Sequence, residues 1–108
     1  IGIQPDMDAG RLDEMFEGFE DHGFGCGHTH RPLVRHVRGV VVVNDGSVGL
    51  PYDGTAMPSW ALAEVGADGV SAEIHRVEYD SSVVLRDLES VGLPRADITA
   101  RRIHTARM

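Results

Sequence analysis

Four consecutive valines, Val40 to Val43, constrain this chain more than any other feature. The run is wholly apolar and short, with Arg38-Gly39 before it and Asn44-Asp45-Gly46 after it. That pattern reads as a strand buried on both faces, which places it inside a sheet rather than at its edge. Leu33–Val37 is a second strand, paired with the first across the tight Arg38-Gly39 turn. Phe24 to Cys26 reads as a strand end that runs into a loop framed by glycines.

The flanking segments alternate between helix and hairpin signals. Asp8 caps a helix whose apolar residues Leu12, Met15, Phe16 and Phe19 fall at i, i+3, i+4 and i+7, with Gly23 as the stop. Asn44 to Gly54 is dense in turn formers and reads as a long loop. Ser59 to Val65 and Val70 to Tyr79 form a second hairpin around Ala67-Asp68-Gly69. Asp80 or Ser81 caps a helix with Val84, Leu85, Leu88 and Val91 inward, stopped by Gly92. Pro94 fits the first turn of a last short helix that carries Ile98 and Ile103. The class is α/β.

With 108 residues the chain has room for one small domain or part of a larger one. A 42% hydrophobic content argues for a packed core, and no apolar run has the length of a membrane span. The net charge of −7 disfavours non-specific nucleic-acid binding. A single cysteine excludes an internal disulfide framework, so a reducing, cytoplasmic setting is expected. The first residue is Ile1 rather than methionine, which suggests a processed product or a fragment.

The chemistry concentrates in "GCGHTHRP", Gly25 to Pro32. In an extended segment side chains repeat every two residues, so His28 and His30 are expected on one side, in one polar cavity beside the Asn44–Ser47 loop. Neutral imidazole is a common ligand for zinc, manganese and iron. Gly25 and Gly27 permit close approach of the backbone. Taken alone, the tripeptide reads at least as well as two histidines that cap a loop or bond carbonyls.

The wider pattern is more specific. "GHTHRP" is followed after two strands by "NDGSVGLPYDG", then by "SWALAEV", with "VEYD" ahead of the next helix. Over nearly its whole length the chain resembles the C-terminal part of the calcineurin-like metallophosphoesterase superfamily. The likeness is to its small bacterial phosphodiesterase and diadenosine-tetraphosphatase-like members. The resemblance implies that residues 1–108 are the C-terminal portion of a four-layer α/β/β/α sandwich. It implies two divalent metal ions (manganese, nickel, iron or zinc), His28 on one and His30 on the other, sharing a water that attacks phosphorus. It implies hydrolysis of phosphomono- or phosphodiesters, with a phosphorylated small molecule or nucleotide as substrate. Asp45 departs from the family pattern, which usually has proline there. The family's other ligand motifs, D-x-H, G-D-x-x-D and G-N-H-[ED], lie upstream of G-H-x-H and have no match before His28. The expected partner is therefore the missing N-terminal part of the same domain, and the isolated chain is expected to be inactive.

Further candidates come from the residues around the pair. Asn44, Gly46 and Ser47 either contact substrate from the loop after the buried strand or only form its turn. Arg31 is a phosphate clamp or, more simply, a surface arginine. Cys26 is a nucleophile with His28 as base, or a small buried hydrophobe, the commoner role. His22 suits a helix end, while His36, His75 and His104 have no partner at a recognisable spacing. Trp60 is expected in the core. Two other functions remain open: a non-catalytic binding or structural module that keeps part of the fold, and a homo-oligomer that builds a zinc site across a symmetry axis.

Overall fold

The computed structural model describes residues 2–108. The order is α1 (Ala9–Met15), β1 (Gly23–Cys26), β2 (Leu33–Val37), β3 (Val40–Asn44), β4 (Ser59–Gly66), β5 (Gly69–Arg76), α2 (Ser81–Ser90) and α3 (Ala96–Thr105). The first three strands form one sheet in the order β1-β3-β2, and β4 and β5 form a separate hairpin. The valine run is the middle strand. It pairs parallel with β1, Gly23 opposite Val41, and antiparallel with β2, Leu33 opposite Asn44. Val40, Val42 and Asn44 are fully buried and Val41 nearly so, while Val43 is only half-buried, so one end of the run lacks the full cover on both faces that its sequence predicts. The core joins Val40 and Val42 to Ile3, Leu12, Phe16, Leu33 and Val37.

Helix α1 is shorter than its apolar periodicity predicts. Asp8 caps it as expected, accepting from Arg11 N at 3.0 Å. The helix stops at Met15, because the chain turns through Gly18 at φ 87° well before Gly23. The stripe therefore splits: Leu12 and Phe16 are buried, while Met15 and Phe19 are about half exposed. Phe16 meets Phe24 edge to face at 5.0 Å, which ties the helix exit to β1.

The hairpin is as predicted, with Ser59 opposite Arg76 and Gly66 opposite Gly69. Its second strand ends at Arg76 rather than Tyr79. Trp60 is not core. It is 44% exposed and stacks on its cross-strand neighbour His75 at 4.4 Å. Asp80 caps α2 by accepting from Ser82 N at 3.0 Å. Val91 is exposed rather than inward, since it lies past the last turn of α2. Pro94 stands before α3 rather than in its first turn, because Arg95 takes a left-handed φ of 58° at the cap. No helix is long and apolar enough to cross a membrane among the described residues.

One feature of the sheet is incomplete by the usual physics of parallel strands. Parallel pairs are normally covered on both faces, yet Gly23, Phe24 and Gly25 of β1 are exposed. Beside them runs an open groove of about 580 Å³, walled by Phe24, Cys26, Val43, Ala63, Val65 and Val70.

Candidate functional site

The histidine loop leaves the C-terminal end of β1 and is held from beneath by Asn44. That side chain is fully buried at the end of β3. Its Nδ2 donates to the Gly27 carbonyl at 3.2 Å and to Thr29 Oγ1 at 3.1 Å, and its Oδ1 accepts from Gly46 N at 2.9 Å. A buried amide with both ends bonded is a rigid brace. Asn44 thus joins the loop after β1 to the loop after β3, and both leave the sheet at the same edge.

The second loop is fastened in turn. Gly46 has φ 86°, and a Cβ there would lie 2.2 Å from Ser59 Oγ, so only glycine fits. Ser59 is buried, donates to the Asp45 carbonyl at 2.6 Å and accepts from Ser47 N at 3.3 Å. Ser47 Oγ accepts from Leu50 N at 3.0 Å. The Leu50 carbonyl then lies 2.7 Å from His30 Nδ1. Asn44, Gly46 and Ser47 therefore all serve the shape of the two loops that carry the histidine pair.

The pair itself does not sit on an extended segment. His28 and His30 have φ of 74° and 56°, both left-handed, so the period-two argument for their placement does not describe this backbone. The loop is a tight bend whose middle residue, Thr29, is buried against Asn44, with His28 exposed and His30 half-buried. Thr29 N donates to the Gly27 carbonyl at 3.0 Å, which closes the bend. His30 is fixed from two sides. Its ring stacks on Tyr52 at 4.8 Å and 15°, and its carbonyl accepts from Tyr52 N at 2.9 Å.

A carbonyl only accepts, so the Leu50 contact puts a hydrogen on His30 Nδ1 and leaves the Nε2 lone pair free. That is how a second partner prepares an imidazole to bind a metal. His28, exposed on the same bend, is available without such a brace. These two donors suit a metal, but they are not a full set. Among the described residues no group of three or more histidine, cysteine, aspartate or glutamate side chains gathers to hold an ion.

Cys26 is half-buried and packs against the core, and burial pushes its thiol above the ordinary range, the reverse of an activated nucleophile. Arg31 Nη1 donates to Gln4 Oε1 at 3.0 Å and lies 3.7 Å from Asp6 Oδ1. His22 Nδ1 bonds the Phe19 and Glu20 carbonyls beyond α1. No local pattern in the sequence marks Thr29, Leu50 or Tyr52 as residues of the site. Thr29 was flanked by louder residues, and nothing in "LPYDG" says that its tyrosine returns to His30.

The model of the calcineurin-like phosphoesterase superfamily domain matches residues 6–68, which include the histidine loop and the Asn44–Ser47 brace. Among solved structures, the chain is similar to a metallophosphoesterase from Sphaerobacter thermophilus, with 26% identity and a TM-score of 0.72. The match covers 92% of this chain and 48% of that one, so the chain spans about half the length of the structure it resembles. The comparison with curated proteins gives no match.

Proposed function

The chain belongs to the calcineurin-like phosphoesterase superfamily, and on that premise we propose that it carries the His28–His30 part of a metal-dependent phosphoesterase site. The observation that carries this is the 2.7 Å contact of His30 Nδ1 with the Leu50 carbonyl, which leaves Nε2 as the nitrogen for a metal on a braced loop. Two divalent cations, one on His28 and one on His30, supply Lewis acidity and an activated water when bound. The protein's own part is positional. Asn44 and Thr29 hold the bend, Leu50 sets the tautomer of His30, and Tyr52 stops its ring from turning.

The remaining ligands come, on this reading, from a part of the same domain outside these residues. Two findings support that. The matched structure is about twice as long, and β1 is a parallel strand without a cover. The 580 Å³ groove beside β1 and the half-exposed Met15, Phe19 and Phe24 form the face on which that part would pack.

The test is complementation. This 108-residue chain alone is expected to bind divalent metal weakly and to hydrolyse a chromogenic phosphodiester at background rate, since a catalytic metal typically wants about three protein ligands. Joined to a segment that supplies the family's upstream ligands, it is expected to turn over in manganese or nickel buffer. A completed assembly that binds metal and stays inactive on phosphomono- and phosphodiesters contradicts the proposal.

A further inference from the structure

Gly2 stands against the histidine bend. A Cβ placed on it would lie 2.8 Å from Thr29 Cγ2, and 3.7 Å from both the Gly27 carbonyl oxygen and His28 Cδ2. Two carbon atoms do not approach to the first of these distances unless something moves. The segment at Gly2 and the bend that carries His28 therefore leave no room between them for a methyl group.

Neither side gives way easily. Thr29 is buried, and its β-branched side chain is stiff about χ1. Its hydroxyl is engaged: Oγ1 accepts from Asn44 Nδ2 at 3.1 Å and from Arg31 N at 3.3 Å. Turning Cγ2 away from Gly2 swings Oγ1 off both donors. The other side is fastened as well. Ile3, next to Gly2, is a buried member of the core. Gln4 Oε1 accepts from Arg31 Nη1 at 3.0 Å, and the Met7 carbonyl accepts from Arg35 Nη1 on β2. Residues 2–7 thus form a strap against the bend, tied down within two residues of the contact.

The two histidines depend on this contact unequally. Thr29 is one peptide bond from each of them, so a shift of Thr29 reaches both. At His30 the ring is held from elsewhere, by the Leu50 carbonyl and by stacking on Tyr52. His28 is exposed, with Gly2 beside it and beside both of its chain neighbours, Gly27 and Thr29. Its left-handed φ of 74° lies in a small allowed region, which a displaced neighbour readily disturbs.

We propose that Gly2 is a positioning residue for His28 and acts through the Thr29 methyl: the absence of a side chain at residue 2 keeps the bend in the shape that presents His28 to a metal. That His28 is presented to a metal rests on the phosphoesterase reading above. Contacts that fix a ligand from outside commonly change metal affinity about 10–100-fold when they are lost.

The test is a double-mutant cycle in the complete polypeptide that carries these residues. Gly2→Ala is made with Thr29 intact and again with Thr29→Ser, which removes Cγ2 and keeps the hydroxyl. Two quantities are read in each protein: the histidine ring resonances without metal, and manganese(II) binding by equilibrium dialysis. With Thr29 intact, Gly2→Ala is expected to move the His28 resonances more than those of His30, and to weaken one manganese equivalent about tenfold or more. In the Thr29→Ser background the same substitution should do neither. Circular dichroism checks that each variant is folded. If Gly2→Ala fails to fold with Thr29 intact, the double variant is compared with Thr29→Ser alone. A folded pair with matching His28 resonances supports the proposal, and an unfolded double variant overturns it. It is also overturned if Gly2→Ala leaves His28 and manganese affinity unchanged, if both histidines move equally, or if the loss persists with Thr29→Ser, as backbone strain at residue 2 would cause. Should the resonances behave as expected in a protein that binds no manganese, Gly2 still positions His28 and the phosphoesterase reading falls instead.

Discussion

Nδ1 of His30 lies 2.7 Å from the carbonyl oxygen of Leu50, twenty residues away along the chain. That contact decides which imidazole nitrogen of the neutral ring carries the hydrogen. Neutral His30 is expected in the Nδ1–H tautomer, with Nε2 free. Nitrogen chemical shifts of the labelled side chain measure this directly, and an Nε2–H tautomer would remove the argument that His30 is prepared as a ligand.

Asn44 braces the loop pair, and its loss should be felt in stability. Asn44→Ala leaves Gly46 N without its acceptor and removes one partner each from the Gly27 carbonyl, which keeps Thr29 N, and from Thr29 Oγ1, which keeps the Arg31 backbone. A total cost of about 1–3 kcal/mol is expected, set mainly by the unpaired Gly46 N–H. Urea unfolding of the variant gives the number. A loss under about 0.5 kcal/mol, the size usual for surface changes, would mean that the two loops hold without the brace.

Gly46→Ala tests the close approach to Ser59. The added Cβ meets a hydroxyl at 2.2 Å on a backbone that disfavours side chains. A loss of more than about 1 kcal/mol is expected. Gly25→Ala is the matched control, because a Cβ there meets nothing within 4 Å. Equal stability of the two variants would contradict the geometry.

Phe16 and Phe19 sit one helical turn apart in sequence but differ in burial, at 4% and 57% exposure. In this chain Phe16→Ala is expected to cost about 3–5 kcal/mol. Phe19→Ala should cost no more than about 1 kcal/mol here and more in the completed domain, where the proposed cover packs on it. Thermal melts of both variants, in both contexts, read the difference.

Ser82, through its side chain and then its backbone N–H, holds the Asp80 carboxyl below the ordinary aspartate range. The unfolded chain therefore takes up this proton first as pH falls, so the capped state loses stability from the ordinary aspartate range downward. Above that range the contribution is full. Protection of the first-turn amides of α2, measured as exchange relative to the intrinsic rate at each pH, should fall on acidification, and Asp80→Asn, which keeps an acceptor without the titration, should flatten the dependence.

Much of this was legible because local rules and tertiary context agree. The valine run is apolar at every position and bounded by turn residues, so its burial and central place follow from composition alone. Asp80 and Asp8 are caps that act within their own first turn. The misreadings share another cause. Helical periodicity continues through Phe19, but Gly18 ends the helix by a backbone preference that periodicity does not register. Trp60 alternates like a core residue, yet it stacks on His75 across the hairpin and stays 44% exposed. At the site, the pairing of His28 with His30 was visible as spacing. Their left-handed backbone, and the return of Leu50 and Tyr52 to His30, depend on contacts across twenty residues or more that no local pattern encodes.

The central claim is that His28 and His30 each serve a metal in phosphoester hydrolysis, and its most direct measurement is a rate. The completed domain, in manganese buffer with a chromogenic phosphodiester, is assayed beside His28→Ala and His30→Ala, with circular dichroism to confirm folding. Each substitution is expected to remove most of the rate and one equivalent of bound metal while the fold stays intact. Two folded variants that keep near wild-type turnover would show the histidine pair to be structural and the account wrong.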